Sequence, residues 1–167
     1  MGLAYWVLYL ILFGTSPLVF CVSELSWTAS YIFLTLRLYA DMPKDKQKEK
    51  AVFWILPAFS LAMCIFFYTR GSYFENILMG TAMGVLGYYA VKGICLAKIR
   101  NRSEKPLIFY AALFFYAAEY ILWISSYFIT ENIFVNPYYL VDILILNPAL
   151  ILIAVAQSRE EKLCRTT

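Results

Sequence analysis

Two carboxylates and one amide lie within apolar segments of this sequence. Glu119 stands about midway along FYAALFFYAAEYILWISSYF, and Asp142 and Asn147 lie in YYLVDILILNPALILIA. Both segments are long enough to form a helix that crosses a bilayer, where a charged side chain is costly unless it is paired, protonated or hydrated. Intramembrane carboxylates are typical of sites that bind or conduct an ion or a small cationic ligand.

Aromatic and hydroxyl side chains recur around Glu119 at helical spacing. Tyr116, Trp123 and Ser126 lie at positions i−3, i+4 and i+7 from the acid, so a helix places all four residues on one stripe. Such a stripe would surround a ligand with hydrogen-bond donors. The alternative is structural, with a protonated Glu119 that is hydrogen-bonded to a neighbouring helix.

Pro148 interrupts the second of these apolar segments. It removes one amide donor and frees the carbonyl four residues earlier, which predicts a kinked helix with an unsatisfied backbone acceptor. If the two segments form an antiparallel hairpin, Glu119 lies level with Asn147, and Trp123 lies level with Asp142. The polar groups are therefore predicted to meet at one depth. The predicted ligand-binding set is Tyr116, Glu119, Trp123, Ser126, Asp142 and Asn147.

The composition is that of an integral membrane protein. Of the 167 residues, 62% are hydrophobic and 15% are charged, and the mean hydropathy is +0.68. These values lie far from those of soluble domains. No polar linker or charged block divides the chain, which predicts a single transmembrane helical domain over residues 1–167.

The apolar segments predict an all-α, polytopic bundle. A helix needs roughly 17–25 residues to cross the hydrocarbon of a bilayer. The segment 25–40 is short and ends close to Arg37, so five spans, with this segment on the membrane surface, are also compatible with the sequence. The six predicted transmembrane helices are residues 3–22, 25–40, 52–69, 75–97, 107–129 and 138–157.

The basic residues fall on one side of the six-span arrangement, with Arg70 and Lys92 as the two exceptions among fourteen. Cytoplasmic loops carry such an excess of lysine and arginine, which predicts that both termini are cytoplasmic. Lys92 is close enough to the cytoplasmic end of its span for its ammonium group to reach the headgroups. The residues on the basic side are Arg37, Lys44, Lys46, Lys48, Lys50, Lys98, Arg100, Arg102, Lys105, Arg159, Lys162 and Arg165.

Three glycines in the fourth predicted span indicate close helix packing. Gly80, Gly84 and Gly87 form a pattern of small residues about one helical turn apart. This pattern lets the backbone of another helix approach closely. The partner is predicted to be another helix of the same chain, with a dimer interface as the alternative.

The sequence gives little support for metal or cofactor chemistry. It has no histidine, and its four cysteines are scattered singly. Histidine is the usual ligand of haem, zinc and copper, and paired cysteines are typical of redox and zinc sites. We therefore predict no metal, no cofactor and no catalytic residue. The net charge of +3 follows from the loop bias and does not indicate a nucleic-acid partner.

Three functions follow as predictions for a multi-pass protein embedded in the lipid bilayer. The first is a pocket, open to the non-cytoplasmic side, that binds or transports a small ligand or an ion through the intramembrane carboxylates, with a cation as one candidate. Six spans are few for a transporter, so a homo-oligomer or a partner membrane subunit is expected. The second is a non-catalytic sensor or assembly subunit whose polar residues fix helix pairing. The third is a lipid-modifying enzyme, which the lack of a nucleophile with its base disfavours.

Overall fold

The described part of the protein is built from helices. The computed structural model describes residues 2–14, 22–42, 49–69, 73–99, 107–126, 144–145 and 147–166, and these residues contain no strand, which confirms the all-α prediction. The helices are α1 (Gly2–Phe13), α2 (Val22–Ala40), a short 3₁₀ helix η1 (Ala51–Trp54), α3 (Ile55–Phe66), α4 (Tyr73–Ile99), α5 (Leu107–Ser126) and α6 (Asn147–Thr166).

Helix α1 is shorter than predicted. The sequence predicted a helix over 3–22, but α1 ends at Phe13. The next residue, Gly14, has a φ of 68°, and its amide donates to the carbonyl of Leu10 at 2.8 Å. Glycine adopts this left-handed conformation at little cost and commonly ends helices in this way. Residues 15–21 lie outside the described part of the chain.

Pro148 lies at the start of a regular helix. Helix α6 begins at Asn147, so the proline occupies its first turn, where a missing amide donor costs little. Leu144 and Ile145 adopt the wider turn of a π-helix. Residue 146, between this turn and α6, lies outside the described residues, so the predicted kink falls partly outside them. Residues 138–143 and the side chain of Asn147 lie outside the described residues.

Helix α4 is the centre of the bundle. It packs against α2, η1, α3 and α5, while α5 also packs against α2 and α6, and α1 packs against α2. The interior consists of aliphatic and aromatic side chains, because removing apolar surface from water is favourable. The main core cluster includes Leu34, Leu38, Met83, Leu86, Ala90, Ile108, Phe109, Ala112, Phe115, Ala149 and Ala156.

The predicted glycine pattern of α4 faces α3. A Cβ atom added to Gly80 would lie 3.5 Å from the carbonyl oxygen of Ser60, and one added to Gly84 would lie 3.4 Å from the Cβ atom of Ser60. At Gly87 the added atom would lie 2.8 Å from the Cβ atom of Leu56. The missing side chains thus allow α3 to approach α4 closely, as a small-residue pattern does within a bundle.

Two helices among the described residues are long and apolar enough to cross a membrane. They are Tyr73–Ala97, which covers most of α4, and Leu107–Ser125 in α5. The apolar helices Ala51–Phe66 and Pro148–Ser158 are shorter. These four segments overlap the third to sixth predicted spans. Only the two in α4 and α5 reach the length of a complete crossing.

Charged and aromatic side chains gather at one end of α4. The Lys92 ammonium lies 2.6 Å from Oε1 of Glu49, and the Tyr88 hydroxyl donates to Oε2 of Glu49 at 2.8 Å. Lys92 also lies 4.9 Å from the centre of the Tyr88 ring, a cation–π distance. The Tyr39 and Tyr89 rings, 5.7 Å apart, join the end of α2 to the same part of α4. The end of α2, the segment that contains Glu49 and the end of α4 therefore meet at one end of the bundle, and the sequence predicts that all three lie on the basic side.

Replacement of Gly87 by valine is expected to destabilise the contact between α3 and α4. The new side chain would press against Leu56, and overpacking of this kind costs about 1–3 kcal/mol. Thr81→Val is the matched control, because Thr81 is exposed on the same helix. Unfolding of the two variants in detergent would measure the difference. An equal free energy of unfolding for both variants would contradict the packing assignment.

The Glu49 carboxylate predicts a pH dependence of stability. Hydrogen bonds from Lys92 and then from Tyr88 lower the pKa of Glu49 below its ordinary value. A carboxylate with a lowered folded-state pKa stabilises the protein above its unfolded-state pKa, and this contribution is lost as the pH falls through the lowered value. We expect wild-type protein to lose more thermal stability than Glu49→Gln over that acidic interval. Parallel melting curves for the two proteins would contradict this expectation.

Candidate functional site

Glu119 is buried and hydrogen-bonded to a neighbouring helix. Its side chain lies on α5 and is 8% exposed. The hydroxyl of Tyr31 on α2 donates to Oε2 of Glu119 at 2.9 Å. The ring of Tyr31 also packs at 5.8 Å from that of Phe115. Phe115 and Glu119 are four residues apart, so they share one face of α5 and both turn towards α2.

The sequence of α2 explains why Tyr31 reaches the carboxylate. Tyr31, Leu34 and Leu38 are buried at positions i, i+3 and i+7. This spacing defines one face of a helix, and burial of the two leucines fixes that face against the core. Ile32 and Phe33, on other faces, are exposed. Apolar packing thereby positions the tyrosine hydroxyl opposite α5.

A second polar contact joins α5 to α3. The Tyr116 hydroxyl lies 2.9 Å from the Ser60 hydroxyl and donates to the carbonyl of Leu56 at 3.1 Å. A tyrosine hydroxyl has one proton. Since that proton goes to Leu56, Ser60 is the donor in the contact between the two hydroxyls. Tyr116 therefore connects α5 to both a side chain and the backbone of α3.

The predicted stripe on α5 is divided between two neighbouring helices. Glu119 is directed to α2, whereas Tyr116 is directed to α3. Trp123 lies beside the end of α3, with its ring 5.6 Å from that of Phe67. Glu119 and Tyr116 thus take part in separate interhelical contacts. The remaining predicted residues are Ser126, Asp142 and Asn147, whose side chains lie outside the described part of the chain.

Several polar partners were not predicted from the sequence. Tyr31 and Ser60 are two, and Asn76 is a third: its amide nitrogen donates to the carbonyl of Phe67 at 2.9 Å. The thiol of Cys64 in turn donates to the carbonyl of Asn76 at 3.2 Å. These two bonds connect the end of α3 to the start of α4. The spacing of Tyr31, Leu34 and Leu38 indicates the buried face of α2 and could have predicted that Tyr31 faces inward. No comparable sequence pattern indicates Ser60 or Asn76.

The described residues contain no group of three or more histidine, cysteine, aspartate or glutamate side chains that could hold a metal ion. The polar groups shown here are hydroxyls, a thiol, a carboxamide and one carboxylate, each in a contact between helices. This arrangement can order the helices through hydrogen bonds, and its single carboxylate can carry either a proton or a negative charge.

No family model, curated protein or solved structure matches this chain at a significant level.

Loss of the Tyr31 hydroxyl is expected to destabilise the bundle. In Tyr31→Phe the buried Glu119 loses a hydrogen-bond donor, and removal of one partner of a buried polar group costs about 1–3 kcal/mol. Tyr39→Phe is the control, because Tyr39 is exposed on the same helix. Chemical unfolding in detergent micelles would measure both variants. Equal stability of the two would show that the bond to Glu119 makes no net contribution.

Proposed function

We propose that the chain is a multi-pass membrane protein. The support is its outer surface, which is rich in large apolar side chains on every α-helix. A soluble monomer rarely exposes apolar surface to this extent, whereas lipid tails accommodate it. One residue on each helix, more than half exposed, illustrates the pattern: Ile11, Phe33, Ile65, Ile77, Ile121 and Ile151.

The proposal includes the six spans and the cytoplasmic termini that the sequence predicts. It is supported by the contacts of Glu49 with α4 and of Tyr39 with Tyr89, which bring basic segments to one end of the bundle. Helix α1 has 12 residues, and a helix of that length spans about 18 Å of the roughly 30 Å hydrocarbon. A complete first crossing therefore requires residues beyond Phe13.

The predicted orientation can be tested with reporter fusions. A periplasmic or lumenal reporter fused after residue 71 is expected to be active, because residue 71 lies in a predicted outer turn. The same reporter fused after residue 103 is expected to be inactive, since residue 103 lies in a basic loop. Activity at neither site or at both sites would contradict the proposed topology.

Within the membrane, the proposed role is that of a non-catalytic sensor or assembly subunit. The observation that carries this role is the hydrogen bond from Tyr31 to the buried Glu119. The carboxylate that could serve a ligand is instead engaged by another helix of the same chain. Polar side chains in membrane bundles commonly hold helices together in this manner. The competing role is the cation-binding pocket, which requires Glu119 as a ligand.

Two substitutions of Glu119 separate these roles. Glutamine keeps an oxygen that accepts from Tyr31, whereas leucine leaves the Tyr31 hydroxyl without that acceptor. For the proposed role we expect Glu119→Gln to remain close to wild type and Glu119→Leu to lose about 1–3 kcal/mol of stability. Wild-type protein should also melt at the same temperature in matched sodium, potassium and ethylammonium chloride solutions.

A cation-binding pocket gives the opposite results. Stabilisation of wild-type protein by one of these cations, lost in Glu119→Gln, would refute the assembly role. The linkage is quantitative, because a ligand at about 100 times its dissociation constant adds about 2.7 kcal/mol to the free energy of unfolding. Thermal melting over a concentration series of each salt, at constant ionic strength, would reveal such an effect.

A further inference from the structure

Tyrosine and tryptophan side chains gather at the basic end of the bundle. The Tyr39 ring of α2 lies 5.7 Å from the Tyr89 ring of α4, and the Trp54 ring of η1 lies 5.2 Å from the Tyr88 ring. Tyr110 lies at the same end, because the first turn of α5 packs against the later turns of α4. We call this set the inner belt: Tyr39, Trp54, Tyr88, Tyr89 and Tyr110.

A second set of these side chains lies at the opposite end. The Tyr68 ring, just after α3, lies 5.8 Å from the Tyr73 ring at the start of α4. The Trp123 ring of α5 lies 5.6 Å from that of Phe67. Trp27 belongs to the same set, since it stands near the end of α2 that is remote from the inner belt. We call this set the outer belt: Trp27, Tyr68, Tyr73 and Trp123.

The surface between the two belts is apolar. Its exposed residues on α2, α3, α4 and α5 carry aliphatic or phenylalanine side chains, apart from Ser30 and Thr81. The Ser30 hydroxyl donates to a carbonyl of its own helix at 2.9 Å. Arg37 and Glu75 each stand two residues from a belt residue along the chain, and Lys92 lies beyond the inner belt. The surface that lipid tails can cover therefore ends at the two belts.

The belts are close together. Their separation along the chain is 12 residues on α2, 13 on α5, 14 from η1 through α3, and 15 on α4 when it is measured to Tyr88. A helix rises about 1.5 Å per residue, so these separations correspond to about 18–23 Å. Tilt of a helix would make the difference in depth smaller still. The hydrocarbon of a typical bilayer is roughly 30 Å thick.

We propose that the bundle is matched to a thin bilayer, with hydrocarbon about 18–23 Å thick, as lipids with short acyl chains form. The proposal rests on the membrane role proposed above. Tyrosine and tryptophan side chains at the ends of a bundle anchor at the level of the lipid headgroups. In a bilayer of average thickness one belt would be drawn into hydrocarbon, or the lipid around the protein would have to thin.

Two further features agree with a thin bilayer. Helix α3 has 12 residues, which correspond to about 18 Å. Lys92 and its partner Glu49 lie just beyond the inner belt, where headgroups and water surround a charge.

The distribution of the belts favours lipid over a protein partner. Exposed belt residues occur on α2, η1 and α5 and at the adjoining ends of α3 and α4. A partner subunit would cover one side of the bundle, whereas a bilayer surrounds it at a single depth. The exposed members are Trp27, Tyr39, Trp54, Tyr68, Tyr73 and Tyr110.

The stability of wild-type protein in bilayers of different thickness tests the proposal. Vesicles of phosphatidylcholine with monounsaturated chains of about 14 to about 22 carbons provide the series, and circular dichroism measures thermal unfolding in each. We expect the highest melting temperature at about 14 carbons and a decrease of about 2–4 °C or more by about 18 carbons. A highest melting temperature at about 18 carbons or more would overturn the proposal.

A pair of double variants tests whether the belt residues set the preferred thickness. Tyr39→Leu with Tyr110→Leu removes two exposed members of the inner belt and lengthens the apolar surface, so the preferred chain length should increase. Phe33→Leu with Phe114→Leu is the control, because these exposed phenylalanines lie between the belts on the same two helices. The control should keep the preference of the wild type. An equal change in both double variants, or no change in the belt variant, would overturn the proposal.

Flotation of the same vesicles separates this proposal from the membrane role itself. Protein that floats with none of the vesicles would overturn both. Protein that floats with all of them, but melts at the highest temperature in the thicker bilayers, would overturn the match to a thin bilayer and leave the membrane role in place.

Discussion

The bundle depends on the hydrogen bonds of the polar side chains that α5 carries into an apolar interior. A buried carboxylate or hydroxyl that loses its partner costs about 1–3 kcal/mol, so α5 is constrained on two faces. Glu119 meets Tyr31 of α2 on one face, and Tyr116 meets Ser60 and the backbone of α3 on the other. A rotation of α5 about its axis would break both contacts. Directional bonds therefore fix the orientation of α5 more narrowly than apolar packing would.

Close packing between α3 and α4 makes one of these bonds geometrically accessible. A Cβ atom added to Gly87 would lie 2.8 Å from the Cβ atom of Leu56 and 3.0 Å from Cε2 of Tyr116. Gly87 thus marks the place where α3, α4 and α5 meet. Because no side chain occupies this position, the Leu56 turn lies close enough for its carbonyl to accept from Tyr116 at 3.1 Å. The glycine pattern and the polar contact are parts of one arrangement.

The sequence predicts segments and burial better than it predicts partners. Apolar runs separated by charged residues are local signals for helices. Among the described residues they located the helix ends to within a few residues, except that α1 ends at Phe13 and not at residue 22, and α6 continues to Thr166 beyond residue 157. The cost of a charge in an apolar segment indicated an inward-facing Glu119. Its donor, Tyr31, is 88 residues away, and no local pattern reports which helix lies alongside. Tyr116 and Glu119 are only about 60° apart around a helix. Their spacing therefore did not reveal that Glu119 contacts α2 while Tyr116 contacts α3. Gly14 could have predicted the early end of α1, because glycine is a common helix stop signal.

Helix α2 is the element most directly affected by a change at Glu119. The side chain of Glu119 accepts from Tyr31, and removal of one partner of a buried hydrogen bond costs about 1–3 kcal/mol. Loss of this acceptor therefore changes how tightly α2 is held against α5. The contacts of α3 with Tyr116 and Asn76 involve no carboxylate and are not altered by the same event. A sensor or assembly subunit built on this bundle would consequently respond through α2, while α3, α4 and α5 remain packed.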